Sequence, residues 1–312
     1  MNTALKRRTV LMAAALGAST TLLQACGGSD DEVQRNIVEL AQQTPELSIL
    51  VEAVGAAGLT PTLSTGTLTV FAPTNAAFAA LLTELGVTKE ALLANKPLLT
   101  AVLTYHVLDS KVVQGDVPLG RAITPVSGGF FKIESNNGLR ITDGRNRVSN
   151  VIRTDVEASN GVVHLVDRVL LPADKDIVAT ASALPEFSIL VEAVAAAGLA
   201  GTLQGAGPFT VFAPTNAAFA ALLTELGITK AALLADQALL VQVLSYHVLP
   251  RRVLKAEVPV NTAITTLQGQ TLTISPGLAI TDQKMRTSHI VAADVFTSNG
   301  VIHVVDKVIL PK

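Results

Sequence analysis

A chain of 312 residues with 49% hydrophobic and 15% charged residues is too apolar for a disordered protein and long enough for two domains. The formal net charge is −2, and the first 25 residues hold three basic side chains and no acidic one, which leaves a net charge of −5 on the remainder. With 4% aromatic residues and no basic stripe, the composition argues against nucleic-acid binding.

The first segment has the three-part layout of an export signal. A basic start at residues 1–9 is followed by a mostly apolar run over 10–25, which is too short for a membrane-spanning helix of about 20 apolar residues. We therefore predict a signal peptide over residues 1–25. Arg7 and Arg8 resemble the start of a twin-arginine signal, and the general export route is the alternative.

The single cysteine of the chain, Cys26, stands where signal cleavage would expose it. The preceding Leu-Gln-Ala makes the site resemble a bacterial lipobox, in which the cysteine is lipidated and becomes the new N-terminus. A lone exported cysteine has no disulfide partner, which favours lipidation. The alternative is a cleaved secretory signal followed by an incidental thiol. We expect a palmitate-bearing lipoprotein in which residues 26–32 form the lipidated cysteine and a flexible tether. The expected location of the protein is the outer membrane, its periplasmic face or the cell surface, and secretion is the alternative.

The rest of the chain is an internal duplication. The segment TVFAPTNAAFAALLTELG stands at 69–86 and again at 210–227 without a difference, and the other matching segments lie 139 to 141 residues apart. Solenoid repeats have periods of about 20–50 residues, so this period indicates a duplicated domain. We predict domain 1 over residues 33–172 and domain 2 over residues 173–312.

Helices are predicted for the first part of each copy. The signals are N-caps, prolines that open a helix and glycines that end one: Asn36 and Asp176, Pro45 and Pro185, and Gly58 and Gly198.

The 18-residue segment itself predicts a strand, a proline break, a polar cap, an amphipathic helix and a glycine stop. The break and the cap fall on three residues of each copy: Pro73, Thr74 and Asn75, and Pro214, Thr215 and Asn216. The two asparagines could instead hold a ligand, but helix capping explains them without one.

Two more helices are predicted at about 89–94 and 97–105 of the first copy. From residue 112 to residue 171 the pattern changes to short β-rich runs separated by glycine- and asparagine-rich turns. A helical half followed by an antiparallel half makes the predicted fold class α+β.

Three motifs recur in the same order in both copies. The first copy contains TVFAPTNAAF, YHVL and SNGVVHLVDRVLLP. The second copy repeats the first two motifs and has SNGVIHVVDKVILP as the third. This set of motifs resembles the fasciclin-like domain. The resemblance implies a β-sandwich or wedge flanked by several short helices, a role in extracellular adhesion, and no enzymatic activity or cofactor. In animal members the Tyr-His region is linked to integrin recognition. The resemblance therefore implies partner-binding residues at Tyr105, His106, Tyr246 and His247. For a bacterial chain we expect a partner other than an integrin.

The remaining histidines invite a metal or catalytic interpretation. His164 and His303 lie in matching valine-rich runs, where a buried, hydrogen-bonded core residue is the simpler expectation than a metal ligand. The SNG motifs at 159–161 and 298–300 are typical of tight turns, because Asn-Gly tolerates positive φ. The sequence holds no nucleophile elbow, P-loop or Rossmann fingerprint, so we predict no catalytic residues and no metal site.

These observations favour an exported, lipid-anchored adhesion or interaction protein. Its expected partners are extracellular matrix, a cell-surface protein or a polysaccharide, bound by a monomer through both domains. The alternative is an envelope carrier that binds a small apolar ligand or lipid. An uncharacterised hydrolase is the third possibility.

Overall fold

The computed structural model describes residues 35–312, so the predicted signal peptide, Cys26 and the tether lie outside the described residues. We keep the predicted division, with domain 1 ending at residue 172 and domain 2 beginning at residue 173. The helices of domain 1 are α1 Ile37–Gln42, α2 Ser48–Ala57, α3 Thr60–Leu63, α4 Asn75–Leu85, α5 Lys89–Ala94 and α6 Lys96–Tyr105.

The strands of domain 1 form one continuous ladder. They are β1 Leu68–Pro73, β2 Val107–Leu108, β3 Ala122–Ile123, β4 Phe131–Ser135, β5 Leu139–Thr142, β6 Val148–Ala158 and β7 Gly161–Val166. Their order across the sheet is β2-β1-β7-β6-β5-β4-β3, and β1 and β7 form the parallel pair within an otherwise antiparallel arrangement.

The sheet of domain 1 is curled. Leu108 on β2 and Ile123 on β3 stand at opposite ends of the strand order, yet they belong to one buried cluster with Phe71 and Phe131. The two ends of the sheet therefore close on a shared core. Strand β6 makes the bend possible, because its pairing with β7 shifts register between Val151 and Val156 and bulges increase local twist.

A second core lies between the sheet and the helices. Val70 and Ala72 of β1 face this core, together with Phe78 of α4 and Leu103 of α6, whereas Phe71 between them faces the core inside the curl. Alternate residues of one strand thus serve the two cores, as the pleat requires. Each domain is a curled sheet with a helical layer on one side.

Domain 2 repeats the arrangement. Its helices are α7 Ile177–Ser182, α8 Ser188–Ala196, α9 Ala200–Leu203, α10 Asn216–Leu226, α11 Lys230–Ala235 and α12 Gln237–Tyr246. Its strands are β8 Phe209–Pro214, β9 Val248–Leu249, β10 Ala263–Thr265, β11 Thr271–Ile274, β12 Ala279–Thr281, β13 Thr287–Thr297 and β14 Gly300–Val305. The strand order β9-β8-β14-β13-β12-β11-β10 is that of domain 1.

The predicted α+β class is confirmed, and so are the helical first part and the β-rich second part of each copy. The prolines lie at the starts and ends of elements. Pro45 and Pro185 open single 3₁₀ turns before α2 and α8 rather than the helices themselves. Pro73 is the last residue of β1 and pairs with Val166. Its missing N–H therefore does not interrupt the hydrogen-bond ladder within the strand.

Across the part of the chain that the structure covers, no helix combines the length and the apolar character needed to cross a membrane.

Candidate functional site

The tyrosine and histidine of each YHVL motif lie where a helix turns into a strand. Tyr105 is the last residue of α6 and His106 follows it, while Tyr246 and His247 take the same places after α12. The tyrosines are 0% exposed and the histidines 1% exposed. A partner at the surface therefore cannot touch these four side chains in this structure.

Each tyrosine hydroxyl holds a backbone carbonyl at the beginning of a strand or directly before it. Tyr105 donates to the carbonyl oxygen of Phe130, and Tyr246 donates to that of Thr271 at 2.8 Å. Burial, followed by the charge of Asp282, raises the pKa of Tyr246 to about 12, and burial with the charge of Asp143 raises that of Tyr105. Both phenols are therefore protonated donors at neutral pH.

Each histidine joins a helix to the segment that follows the last strand of its domain. His106 accepts at Nε2 from the amide of Leu170 at 2.8 Å, so its Nδ1 carries the proton and donates to the carbonyl of Val102 at 2.7 Å. His247 makes the equivalent bonds with Ile309 and Val243. Burial lowers the pKa of both imidazoles to about 4, so they are neutral at pH 7.

The strand histidines are also buried and bonded to their own domain. His164 Nε2 donates to Val112 O at 2.9 Å, and its Nδ1 accepts from the amide of Asp155 at 3.2 Å. His303 makes the matching contacts with Val253 and Asp294. Each histidine ties a bulged residue at positive φ to the loop opposite, which leaves no free ring nitrogen for a metal. Among residues 35–312, no group of three or more potential ligands could hold a metal ion.

The Pro-Thr-Asn residues of the repeated segment serve two helices. The hydroxyl of Thr74 accepts from Ala77 N and caps α4, whereas Asn75 reaches back to the start of α2. Asn75 Oδ1 accepts from Ile49 N at 3.0 Å, and its Nδ2 donates to Pro45 O and Ser48 Oγ. Thr215 and Asn216 do the same after Pro214. Asn75 therefore caps α2 rather than its own helix α4, and Asn216 caps α8 rather than α10.

The SNG motifs form the predicted turns, but for a different reason than positive φ in Asn. Asn160 Oδ1 accepts from Ile37 N at 2.8 Å and Nδ2 donates to Leu63 O, so this side chain secures α1 and α3. A Cβ on Gly161 would lie 1.9 Å from the carbonyl oxygen of Leu68, and one on Gly300 would lie 2.2 Å from that of Phe209. The close approach of the parallel neighbour strand is what requires glycine in both domains.

An acid-arginine cluster was not predicted from the sequence. Asp143 is fully buried, and its carboxylate accepts from Leu171 N and from the guanidinium of Arg147 at 2.7 Å. Arg147 also donates to Val169 O and to Glu84, the acidic residue of the repeated segment. The signal was present as ITDGRNR and ITDQKMR, in which Asp and Arg recur four residues apart.

Taken together, the geometry contains no assembled reaction centre among the predicted site residues. Tyr105, His106 and His164 occupy separate positions and bond to backbone groups. The repeated side chains form hydrogen bonds that hold helices, loops and strand ends in place, and this is a structural role.

The comparisons with known proteins agree on the family. The model of the fasciclin domain matches residues 45–172 and residues 185–311. The transforming growth factor-beta-induced protein ig-h3 of Sus scrofa is 31% identical over 254 residues, which cover 79% of this chain and 35% of that protein. This chain thus spans about a third of the length of that relative.

Two further matches differ in coverage. Protein sll1483 of Synechocystis sp. is 44% identical over 138 residues, or 43% of this chain and 73% of that protein. A solved structure of a FAS1 domain pair from the insect cell adhesion molecule fasciclin I covers 84% of this chain and 94% of that one, with 18% identity and a TM-score of 0.41.

Proposed function

This chain belongs to the fasciclin domain family, and on that basis we propose that it is an exported, lipid-anchored protein that binds a partner through the outer surfaces of its two domains. The proposed partners are extracellular matrix, a cell-surface protein or a polysaccharide, and the proposal includes no reaction and no cofactor. One observation carries it: the Tyr, His and Asn side chains repeated in both domains bond to their own chain, which leaves the outer surfaces for recognition.

The anchor is assigned to Cys26. Several acyl chains at this residue would hold the protein at a membrane, since each buried methylene contributes about 0.8 kcal/mol. Fractionation of cells that express the chain or its Cys26→Ser variant tests this assignment. We expect the parent in the membrane fraction and the variant in the soluble or secreted fraction, and a variant that stays with the membrane would overturn the anchor.

The interaction role is tested on whole cells. Deletion of the gene should reduce attachment to matrix-coated or polysaccharide-coated surfaces, and the parent chain should restore it. The Cys26→Ser chain is the matched control, because it keeps both domains but lacks the anchoring residue. Equal attachment with and without the gene on all of these surfaces would refute the proposal.

The Tyr-His pairs enter this proposal indirectly. Because Tyr246 holds the carbonyl of Thr271, we propose that it positions the surface loop before β11 for a partner. Once a partner is known, Tyr246→Phe should weaken binding while the secondary structure measured by circular dichroism stays that of the parent. Unchanged affinity would remove the tyrosine from the recognition model.

The carrier alternative receives little support from the cavities. A cavity of about 860 Å³ lies between the domains, and its lining mixes apolar side chains such as Phe187 and Phe296 with the charged Lys132, Arg147, Glu84 and Asp294. Charged groups in the lining are a poor match for a wholly apolar ligand. Native mass spectrometry of the protein purified from its own envelope distinguishes the two functions, because a carrier retains a bound lipid.

A further inference from the structure

One edge of domain 1 is packed against one face of domain 2. The docking edge consists of Gly120, Ala122, Phe130, Lys132 and Asn146 of domain 1. The docking face consists of Arg252, Leu254, Ala256, Asp294 and Phe296 of domain 2. Residues from both domains fall into one compact unit.

The centre of this contact is apolar. Phe130 and Phe296 lie with ring centroids 4.7 Å apart and share a buried cluster with Leu254 and Val301. The guanidinium of Arg252 lies 4.3 Å from the ring centroid of Phe130 and covers it from outside. Phe130 is 7% exposed and Phe296 is 2% exposed, so the two rings are excluded from water.

A buried ion pair lies beside the rings. Lys132 Nζ donates to Asp294 Oδ2 at 2.8 Å, with side-chain exposures of 10% and 3%. Burial opposes the charge on the lysine, but its bonds to Asp294 and Glu134 outweigh burial and raise the pKa of Lys132. A desolvated pair of this kind adds little net stability, yet it strongly penalises any arrangement that leaves one charge unpaired.

Two further sets of hydrogen bonds fix the orientation. Asn146 places its amide against the backbone of Phe296, donating to the carbonyl at 3.0 Å and accepting from the N–H at 2.6 Å. On the edge strand β3, the amide of Ala122 donates to Glu257 at 3.2 Å. These directional bonds allow one relative orientation of the two domains.

The docking face is braced from inside by His303. Its ring holds the amide of Asp294 and the carbonyl of Val253, which stands between Arg252 and Leu254. Domain 1 has the same bracing, with His164 between Asp155 and Val112. The fold therefore builds this face in both domains, and several of the side chains on it differ.

The duplication shows which residues make the contact specific. The domain 2 counterparts of the docking edge are Asn261 for Gly120, Thr271 for Phe130, Thr273 for Lys132 and Met285 for Asn146. In domain 1, Glu157 stands where the docking face has Phe296. A second contact of the same geometry between chains would set Thr271 against Glu157 and Thr273 against Asp155, with no ring pair and no ion pair.

We infer that the docking face of domain 2 is a recognition surface specific for domain 1 of the same chain, which holds the two domains at one fixed distance and orientation. The outer surfaces of the domains are then presented as one rigid unit rather than as two independently moving modules, and the docking edge is closed to other partners. Interdomain motion is the usual expectation for small polar contacts, whereas the ring pair and the buried ion pair oppose such motion here.

Pulsed electron resonance on the full chain tests it. Ala80 and Ala221 lie at matching exposed positions of the identical helices α4 and α10. The substitutions Ala80→Cys and Ala221→Cys provide the two sites for spin labels, and Cys26→Ser removes the native cysteine. Gly120→Asn is the key variant. An added Cβ at Gly120 would lie 2.9 Å from Cβ of Ala256, whereas asparagine is native to the same positive-φ position in domain 2.

We expect one narrow distance distribution in the parent and a distribution at least twice as wide in Gly120→Asn combined with Lys132→Thr. The control is Asn261→Gly, which should stay as narrow as the parent. A broad distribution in the parent, or an unchanged one in the double variant with parent-like circular dichroism, overturns the inference. If the double variant does not fold, the width in the parent decides alone.

Discussion

At the residue scale, the buried histidines of the YHVL motifs contribute to the stability of the fold rather than to a binding surface. His106 and His247 are fully enclosed, donate to one carbonyl and accept from one amide. Protonation would remove the acceptor and place a charge in the core, which is the reason for their lowered pKa. The fold therefore depends on the neutral ring.

The resulting prediction concerns stability and pH. The folded pKa of about 4 lies below the unfolded value of about 6.5, so the unfolded chain binds more protons between these values. Stability is then highest above pH 6.5 and falls as the pH is lowered towards 4. We expect a loss of about 2 kcal/mol per histidine between pH 7 and pH 5.

Urea unfolding at the two pH values measures this loss. In His106→Gln, the loss of stability between the two pH values should be about half that of the parent, because His247 still contributes its share. Equal free energies of unfolding for the parent at pH 7 and pH 5 would contradict the prediction.

At the element scale, helices are joined to distant elements by side chains at their ends. Asn75 links the start of α4 to the start of α2, and Asn160 links the β6–β7 turn to α1. Arg147 links the β5–β6 turn to α4 through Glu84. Several helices of the two domains, α1 among them, have only four to six residues, so their stability depends on such contacts rather than on helix propensity.

Asn75→Ala should destabilise domain 1 by about 2 kcal/mol, because it leaves the amide of Ile49 without its acceptor and removes two donated bonds. Asn216→Ala should have the same effect in domain 2. Thr83→Ala on α4 is the control, since its hydroxyl bonds only within its own helix and should cost well under 1 kcal/mol. Thermal and urea unfolding provide the measurement, and equal effects of Asn75→Ala and Thr83→Ala would count against the linking role.

A comparison of the two arginines gives a second element-scale prediction. Arg147 bonds to Asp143, Glu84 and Val169, whereas Arg286 bonds to Glu225 but its guanidinium makes no hydrogen bond to Asp282 within the described residues. A lysine cannot reproduce the planar fork. Arg147→Lys should therefore cost about 3 kcal/mol and Arg286→Lys about 1 kcal/mol or less, measured by urea unfolding. Equal costs would show that the buried carboxylate does not depend on the fork.

At the scale of the whole molecule, we expect the interdomain contact to couple the stability of the two domains. Phe130 belongs to domain 1 by sequence, but its ring is buried against Phe296 and beneath Arg252 of domain 2. The loop that carries it is held by Tyr105, one of the residues predicted to bind a partner. In domain 1 this tyrosine therefore supports a contact with domain 2.

Phe130→Thr, which introduces the residue found at this place in domain 2, tests the coupling. The parent should unfold in one calorimetric transition, and the variant should show an earlier transition for one domain after a loss of about 3 kcal/mol. Val291→Thr is the control, because Val291 is 60% exposed and its truncation should leave a single transition. Two separated transitions in the parent would contradict coupling.

Local signals in the sequence determined the duplication, the helix starts at Ile37 and Ile177, the strand-break-helix order of the repeated segment and the α+β class. Caps, prolines and periodicity act over a few residues, so the sequence displays them directly. Tertiary structure alone decided that Asn75 caps a helix 26 residues earlier, that Tyr105 and His106 are buried, and that Lys132 meets Asp294. These outcomes depend on chain segments brought together by the curled sheet and by the packing of one domain on the other, and no local pattern records which distant group will be the partner.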